Sequence, residues 1–433
     1  MRLSFPVAIV VLGTSLPLAS SIPRRDGITI PLAKRTTLAA DGHGVVRVKT
    51  LQDQLASASR QQGFQALRKN TGSVLPDGDN KRRFVKRAEG SLPLTNDNGA
   101  LWYGEVAVGM PEETFTVVFD TGSSDFFLPS QDCNSNGCNG HKRYDPTASL
   151  SATPLHRKFQ ISFGDGSTVE GDIYNDTVSV AGLTANGQAV GAALTYSDNL
   201  SVNQFPPDGL VGMAFKEISQ FGSDPLFETL VAQGETTAPQ FGFKLADPAS
   251  VYLGGVVSNL FTGQLTWTPV TQKGFWHVGL EGVNVNAEPI FAPSSAIIDT
   301  GSTLVLGNTS SVANFYDAIP GSKDAYDTAG EGFYTCASGI HPVTVIINPL
   351  LAQVPCNASL DISLTFGGKE FRFDPKHFNL GRVSQGSEDC VGGVAAKDDA
   401  DLYDAWLVGA TFLQGIYTAF DVAQQAVGFA TLA

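Results

Sequence analysis

Cysteine is scarce in this 433-residue chain: five are present, too few for a disulfide scaffold, so the core must come from apolar burial. The six histidines (His43, His141, His156, His277, His341 and His377) are scattered. Neither H-E-x-x-H nor C-x-x-C occurs, so spaced metal-ligand pairs are missing, and neither a metal nor a cofactor is expected. Charged residues are few at 16%, while Gly (46) and Phe (27) are plentiful, which suits a β-rich fold better than a helical bundle. Basic residues are concentrated at one end. Residues 1–87 hold 15 Lys+Arg against 5 Asp+Glu, leaving 13 against 37 for residues 88–433. So acidic a body excludes nucleic-acid binding through phosphates. It favours contact with a basic segment of its own chain. Its carboxylates lose charge in acid, around pH 3–4, which lowers self-repulsion there.

Long apolar runs are also lacking beyond the first residues. Met1-Arg2 leads into an apolar stretch from Leu3 to Leu18, then Ala19-Ser20-Ser21. The stretch is interrupted by Pro6, Gly13 and Pro17 and is shorter than the ~18–20 residues a membrane span needs, so residues 1–21 read as a signal peptide. No membrane anchor is expected, and Ala430 to Ala433 carries no GPI-type tail. Residues 22–87 end in Lys81-Arg82-Arg83 and Lys86-Arg87. Paired basic residues just before the composition turns acidic favour a cleavable basic propeptide over a solvated charge run. The mature chain would begin near Ala88. The expectation is a secreted, extracellular protein, with a vacuole as the alternative compartment.

Beyond Ala88, short β-rich runs recur: Trp102–Val108, Thr114–Phe119, Phe159–Phe163, Val251–Leu253, Thr266–Pro269 and Ala296–Ile298. Two helices are predicted. In one, Ser223 caps, Pro225 starts the first turn and Gly234 closes; the other spans Ser310–Ala318.

One pattern occurs twice. Val117-Val118-Phe119-Asp120-Thr121-Gly122-Ser123-Ser124 returns as Ala296-Ile297-Ile298-Asp299-Thr300-Gly301-Ser302-Thr303. Each copy is followed later by two apolar residues and a glycine, Leu210-Val211-Gly212 and Leu407-Val408-Gly409. A single Asp-Thr-Gly reads as an ordinary turn. Two, each delivered by an apolar strand, need another reason, because an unpaired buried carboxylate is costly.

These residues resemble the pepsin family of aspartic peptidases, over essentially Leu92 to Ala433, and look closest to secreted fungal members. The resemblance implies a mainly β, bilobal fold: two β-barrel-like lobes related by a pseudo-twofold axis around a cleft. The lobes would divide near Trp267, as residues 88–267 and 268–433. It also implies Asp120 and Asp299 as the catalytic pair. Thr121 and Thr300 would bond across the lobes, Gly122 and Gly301 would shape the turns, and Ser123 and Ser302 would donate to the aspartates. Two such carboxyls share one proton and activate a water; the handling of that proton implies activity in acid. A monomer acting on polypeptide substrates is expected.

By the same resemblance, Lys158 to Ser167 is a flap hairpin whose substrate-binding residues are Phe163, Gly164, Asp165 and Gly166. Here the sequence departs from the pattern: Phe163 replaces a tyrosine and Phe127 a tryptophan that commonly share a hydrogen bond. Losing both ends strands no polar partner, and an apolar closure is expected. Asp165 is either a turn-favouring residue before Gly166 or an acidic partner for a substrate lysine.

Cys133 and Cys138 flank a small polar loop, and Cys356 and Cys390 match the family's second-lobe pair, for roughly 2 and 4 kcal/mol in the chain-entropy view. Cys336 is left over. It opens a stretch, 336–353, without counterpart in the family pattern. Asp120 to Gly212 is 92 positions and Asp299 to Gly409 is 110, an excess of 18 that equals this stretch. It is read as an insertion, either a surface loop or a translated intron. Asn175, Asn199, Asn308 and Asn357 begin glycosylation sequons. Two rivals stand: a pepsin-fold binding protein that has lost catalysis, favoured by Phe127 and Phe163, and a glycosidase with paired carboxylates, which leaves the duplicated turns unexplained.

Overall fold

In the computed structural model, the described residues are 45–52, 55, 89–97, 101–163, 166–290, 294–329, 331–336, 354–355, 360–398 and 405–433. The architecture is mainly β, as expected. The runs read from the sequence are strands with small changes of end. Leu101–Val108, Glu113–Asp120, Ser250–Leu253 and Ser294–Ile298 match closely. Phe261–Gln272 extends well beyond Thr266–Pro269. The strand expected over Phe159–Phe163 is longer, Thr153–Ser162, and stops just short of Phe163.

Residues 95–212 supply an eight-stranded sheet, and an eleven-stranded sheet takes strands from 90–93 and from 240 to 432. Trp267 lies within a strand of the larger sheet, which carries strands from both sides of that position.

The sequence repeat is a structural repeat. Glu113–Asp120 pairs parallel with Gly209–Gly212, which pairs antiparallel with Phe126–Pro129. In the second copy, Ser294–Ile298 pairs parallel with Trp406–Val408, which pairs antiparallel with Val305–Gly307. Each third strand then pairs parallel with another, Leu183–Tyr196 in one copy and Val394–Ala396 in the other. The central strands are buried on both faces, which is why they read as continuous apolar runs with no alternation.

One apolar core spans both copies. Trp276 is fully buried at its centre, 4.3 Å from the Phe215 ring and 5.0 Å from Phe420, and its Nε1–H donates to the Met213 carbonyl at 3.0 Å. Such edge and tilted ring packing fixes the strands that carry the two turns.

The first predicted helix runs Leu226–Ala232, but Ser223 does not cap it. Pro225 stands at the N-cap, where its fixed φ suits an extended entry, and Gly234 follows with φ +75°. The second runs Thr309–Asp317, one position earlier than expected. Asn308 caps it by accepting from the Ser311 N–H at 2.8 Å, which satisfies an orphan donor of the first turn.

Cys133 and Cys138 form a disulfide. Cys390 is also disulfide-bonded; Cys356 lies outside the described residues. Cys336 ends the strand Tyr334–Cys336 and faces Cys390 in register, while 337–353 lie outside the described residues. Of the sequons, Asn175 is within a paired strand, Asn199 is in an exposed turn, and Asn357 lies outside the described residues. Residues 1–21 and the dibasic sites also lie outside them. Among the described residues no helix is long and apolar enough to cross a membrane.

Candidate active site

The two Asp-Thr-Gly turns meet. Both aspartates end or follow a buried strand and are themselves buried, at 0% and 1% exposure. The Thr121 N–H donates to Thr300 Oγ1 at 3.1 Å, and the Thr300 N–H donates to Thr121 Oγ1 at 2.9 Å. Each hydroxyl passes its own proton to the opposite strand: Thr121 Oγ1–H to the Ile298 carbonyl and Thr300 Oγ1–H to the Phe119 carbonyl, both at 2.9 Å. Four buried hydrogen bonds thus tie the turns together, satisfying both threonine N–H groups and both hydroxyls.

Each carboxyl receives the same two donors. Asp120 accepts from the Gly122 N–H at 2.7 Å and from Ser123 Oγ at 2.5 Å. Asp299 accepts from the Gly301 N–H at 2.8 Å and from Ser302 Oγ at 2.6 Å. The glycines are required by close approach. A Cβ on Gly122 would stand 2.6 Å from the Asp299 carboxyl, and one on Gly301 would stand 2.2 Å from Asp120 Oδ1. Each turn therefore presses bare backbone against the opposite aspartate, which brings the two carboxyls side by side.

Burial raises the pKa of both carboxyls, because it strips water from the charged forms. The neighbouring Asp299 charge pushes Asp120 further, and Asp120 is held well above the usual carboxylate range. At Asp299 the Ser302 hydroxyl and a hydrogen bond from Asp120 pull back toward the charged form. Two such groups titrate as a pair.

A cavity opens beside the first turn. Gly122, Ser123, Asp125, Phe127, Ile161, Phe163, Ile218, Gln220 and Phe275 are among the residues that line it. The Phe127 and Phe163 rings lie 5.8 Å apart, and Tyr196 packs edge-on against Phe127 at the same distance. Gly166 donates its N–H to the Phe163 carbonyl at 3.1 Å; Gly164 and Asp165 lie outside the described residues. Sequence reasoning missed Asp125, Ile218, Gln220 and Phe275. None carried a signal in the sequence: Asp125 follows Ser123 and Ser124 and reads as part of a solvated turn.

Residues 101–432 match the sequence profile described as eukaryotic aspartyl protease. The chain belongs to that family. It is an aspartic-type endopeptidase. This peptidase is 42% identical over 357 residues to an aspartic protease of Phaffia rhodozyma, covering 81% of each chain. It is 31% identical over 378 residues to the major aspartyl peptidase 1 of Cryptococcus neoformans var. grubii, covering 81% of this chain and 73% of that one. To pepsin A of Sus scrofa it is 30% identical over 398 residues, covering 90% and 95%.

Proposed function

We propose that Asp120 and Asp299 are the catalytic pair of a secreted, acid-acting endopeptidase made as a precursor. The observation that carries this reading is the pressing of each turn glycine against the opposite aspartate, which holds two buried carboxyls together over one proton. The ionised member takes a proton from a water as its oxygen attacks the scissile carbonyl carbon. The protonated member donates to the carbonyl oxygen, giving a gem-diol. Collapse breaks the C–N bond, with a proton passing to the leaving amine. No side chain of the enzyme becomes acylated, so no Ser–His or Cys–His set is needed. Ser123 and Ser302 hold the carboxyl orientations, and Thr121 and Thr300 hold the two turns in register.

Polypeptides are the substrates, cut without cofactor, and the apolar walls of the cavity suit a large apolar side chain beside the scissile bond. The leader pattern of residues 1–21 supports secretion. Residues 22–87 act as a propeptide ahead of the lobes 88–267 and 268–433. In that segment Val46, Leu51 and Leu55 are buried against Phe275, Leu304, Phe333 and Leu380, and Val45 bridges to Arg382. Phe275 also lines the cavity, so the precursor segment and a substrate share a wall. Secreted protein assayed on haemoglobin at pH 3–4 tests the reading. Hydrolysis blocked by pepstatin and abolished by Asp120→Asn and by Asp299→Asn is expected; hydrolysis that survives either substitution overturns it.

A further inference from the structure

Five residues past Asp120 a third carboxylate is buried. Asp125 is 6% exposed and ends the turn that opens the strand Phe126–Pro129. Its side chain does not contribute to the described bonds of the Asp120–Asp299 pair. It reaches instead into the segment 219–221. Oδ1 accepts from Ser219 Oγ at 2.5 Å and from the Phe221 N–H at 3.1 Å, and Oδ2 accepts from the Gln220 N–H at 2.6 Å. Its main-chain carbonyl accepts from the Gly212 N–H at 2.9 Å, so the same residue is tied to the strand that supports the first turn.

The segment it holds forms a cavity wall. Ile218 and Gln220 line the same cavity as Asp125 and Phe163, and Phe221 packs on Phe159 with centroids 4.9 Å apart. Three donors converge on one side chain, two of them backbone N–H groups that cannot turn away. Only an acceptor on both oxygens satisfies them all; an asparagine would aim its own NH₂ at one of them. A segment held by three convergent hydrogen bonds keeps its place in the cavity wall.

We propose that Asp125 is a positioning residue for specificity: by fixing Ile218 and Gln220 it sets the width of the pocket that receives the side chain beside the scissile bond. The proposal rests on the assignment of Asp120 and Asp299 as the catalytic pair. Asp125 itself lines the cavity and also holds Ile218 and Gln220 through its bonds to residues 219–221, so its loss falls on the recognition of bulky side chains and not on proton transfer.

The test compares two peptides that differ only in having Phe or Ala before the scissile bond. Asp125→Asn is expected to raise KM for the Phe peptide and to narrow the Phe-over-Ala ratio of kcat/KM by about 10-fold, a size usual for a misfitted apolar pocket. Ser219→Ala removes a single donor and should shift the ratio the same way by about 3-fold. Equal losses on both peptides, a fall in kcat at unchanged KM, or an unchanged ratio overturns the proposal. Thermal melting reports whether Asp125→Asn folds; if it does not, the ratio for Ser219→Ala decides alone. Asp120→Asn serves as the separate control: cleavage that persists in it sinks the catalytic assignment, whereas a narrowed ratio in Asp125→Asn with a dead Asp120→Asn supports both.

Discussion

Thr121 and Thr300 exchange hydrogen bonds across the molecule, each accepting the other's backbone N–H and each donating to the other's incoming strand. Removing one hydroxyl strands a buried N–H and a buried carbonyl together. Thr121→Ala is expected to cost about 1–3 kcal/mol of stability. It should also lower kcat by about 100-fold as the aspartates drift out of line. Thr121→Ser keeps the hydroxyl and should recover most of both. Thermal unfolding and steady-state kinetics on the three proteins decide, and equal behaviour of the Ala and Ser variants would contradict the role.

The pH behaviour follows from the raised carboxyls. A carboxyl whose pKa is higher folded than unfolded binds more protons in the native state. Its contribution to stability is therefore present below the unfolded value, near pH 4, and is lost as pH rises through the folded value. Asp299→Asn should be more stable than the parent at pH 7, by about 1 kcal/mol. The gap should narrow as pH falls and the parent pair takes up its shared proton. Melting curves at several pH values check this; a gap that is constant with pH argues against a strained pair. In the parent, kcat/KM should fall on the alkaline side only above the usual carboxylate range, when the last shared proton leaves.

Phe163 and Phe127 meet ring to ring, with no polar atom in the contact. Phe163→Tyr places a hydroxyl beside Phe127, where that ring offers it no acceptor, and should reduce kcat/KM by about 10-fold through KM. Adding Phe127→Trp supplies an N–H close by and should restore part of the loss. The non-additivity of the double variant, measured as a cycle, carries the result. Full additivity would show that the two positions do not work together.

Leu51 is fully buried in the second-copy apolar cluster, while Arg47 and Lys49 of the same segment are exposed. Under the propeptide reading proposed above, apolar contact holds this segment against the body. Leu51→Asp in the precursor should speed maturation at pH 7 at least ~10-fold, since an unpaired buried carboxylate is strongly unfavourable. Time courses followed by gel electrophoresis test it. The parent precursor should mature faster at pH 3.5 than at pH 7; equal rates would refute acid-triggered release.

Much of the site was legible before any coordinates. The repeat of Asp-Thr-Gly-Ser behind an apolar strand pointed to both aspartates, and the matching Leu-Val-Gly runs pointed to the strands that flank them. Helix ends were less legible. Ser223 and Asn308 are both good caps on intrinsic preference, yet only Asn308 reaches the free N–H, because Pro225 starts the first helix too late for Ser223. Asp125 was overlooked for a related reason. An acid after two serines reads as a solvated turn, and its partners lie 94 to 96 positions away.

What the sequence determined by itself is therefore chemical identity and local form: which strands are buried, where the tight turns fall, and that two acids are delivered in the same way. Only the tertiary structure decided that these acids face one another and that Asp125 holds the wall of the neighbouring pocket. The physical reason is separation along the chain. Asp120 and Asp299 meet only because hydrogen bonds tie together two turns that come from different sheets and lie 179 residues apart, and bonds over such separations leave no period in the sequence to read.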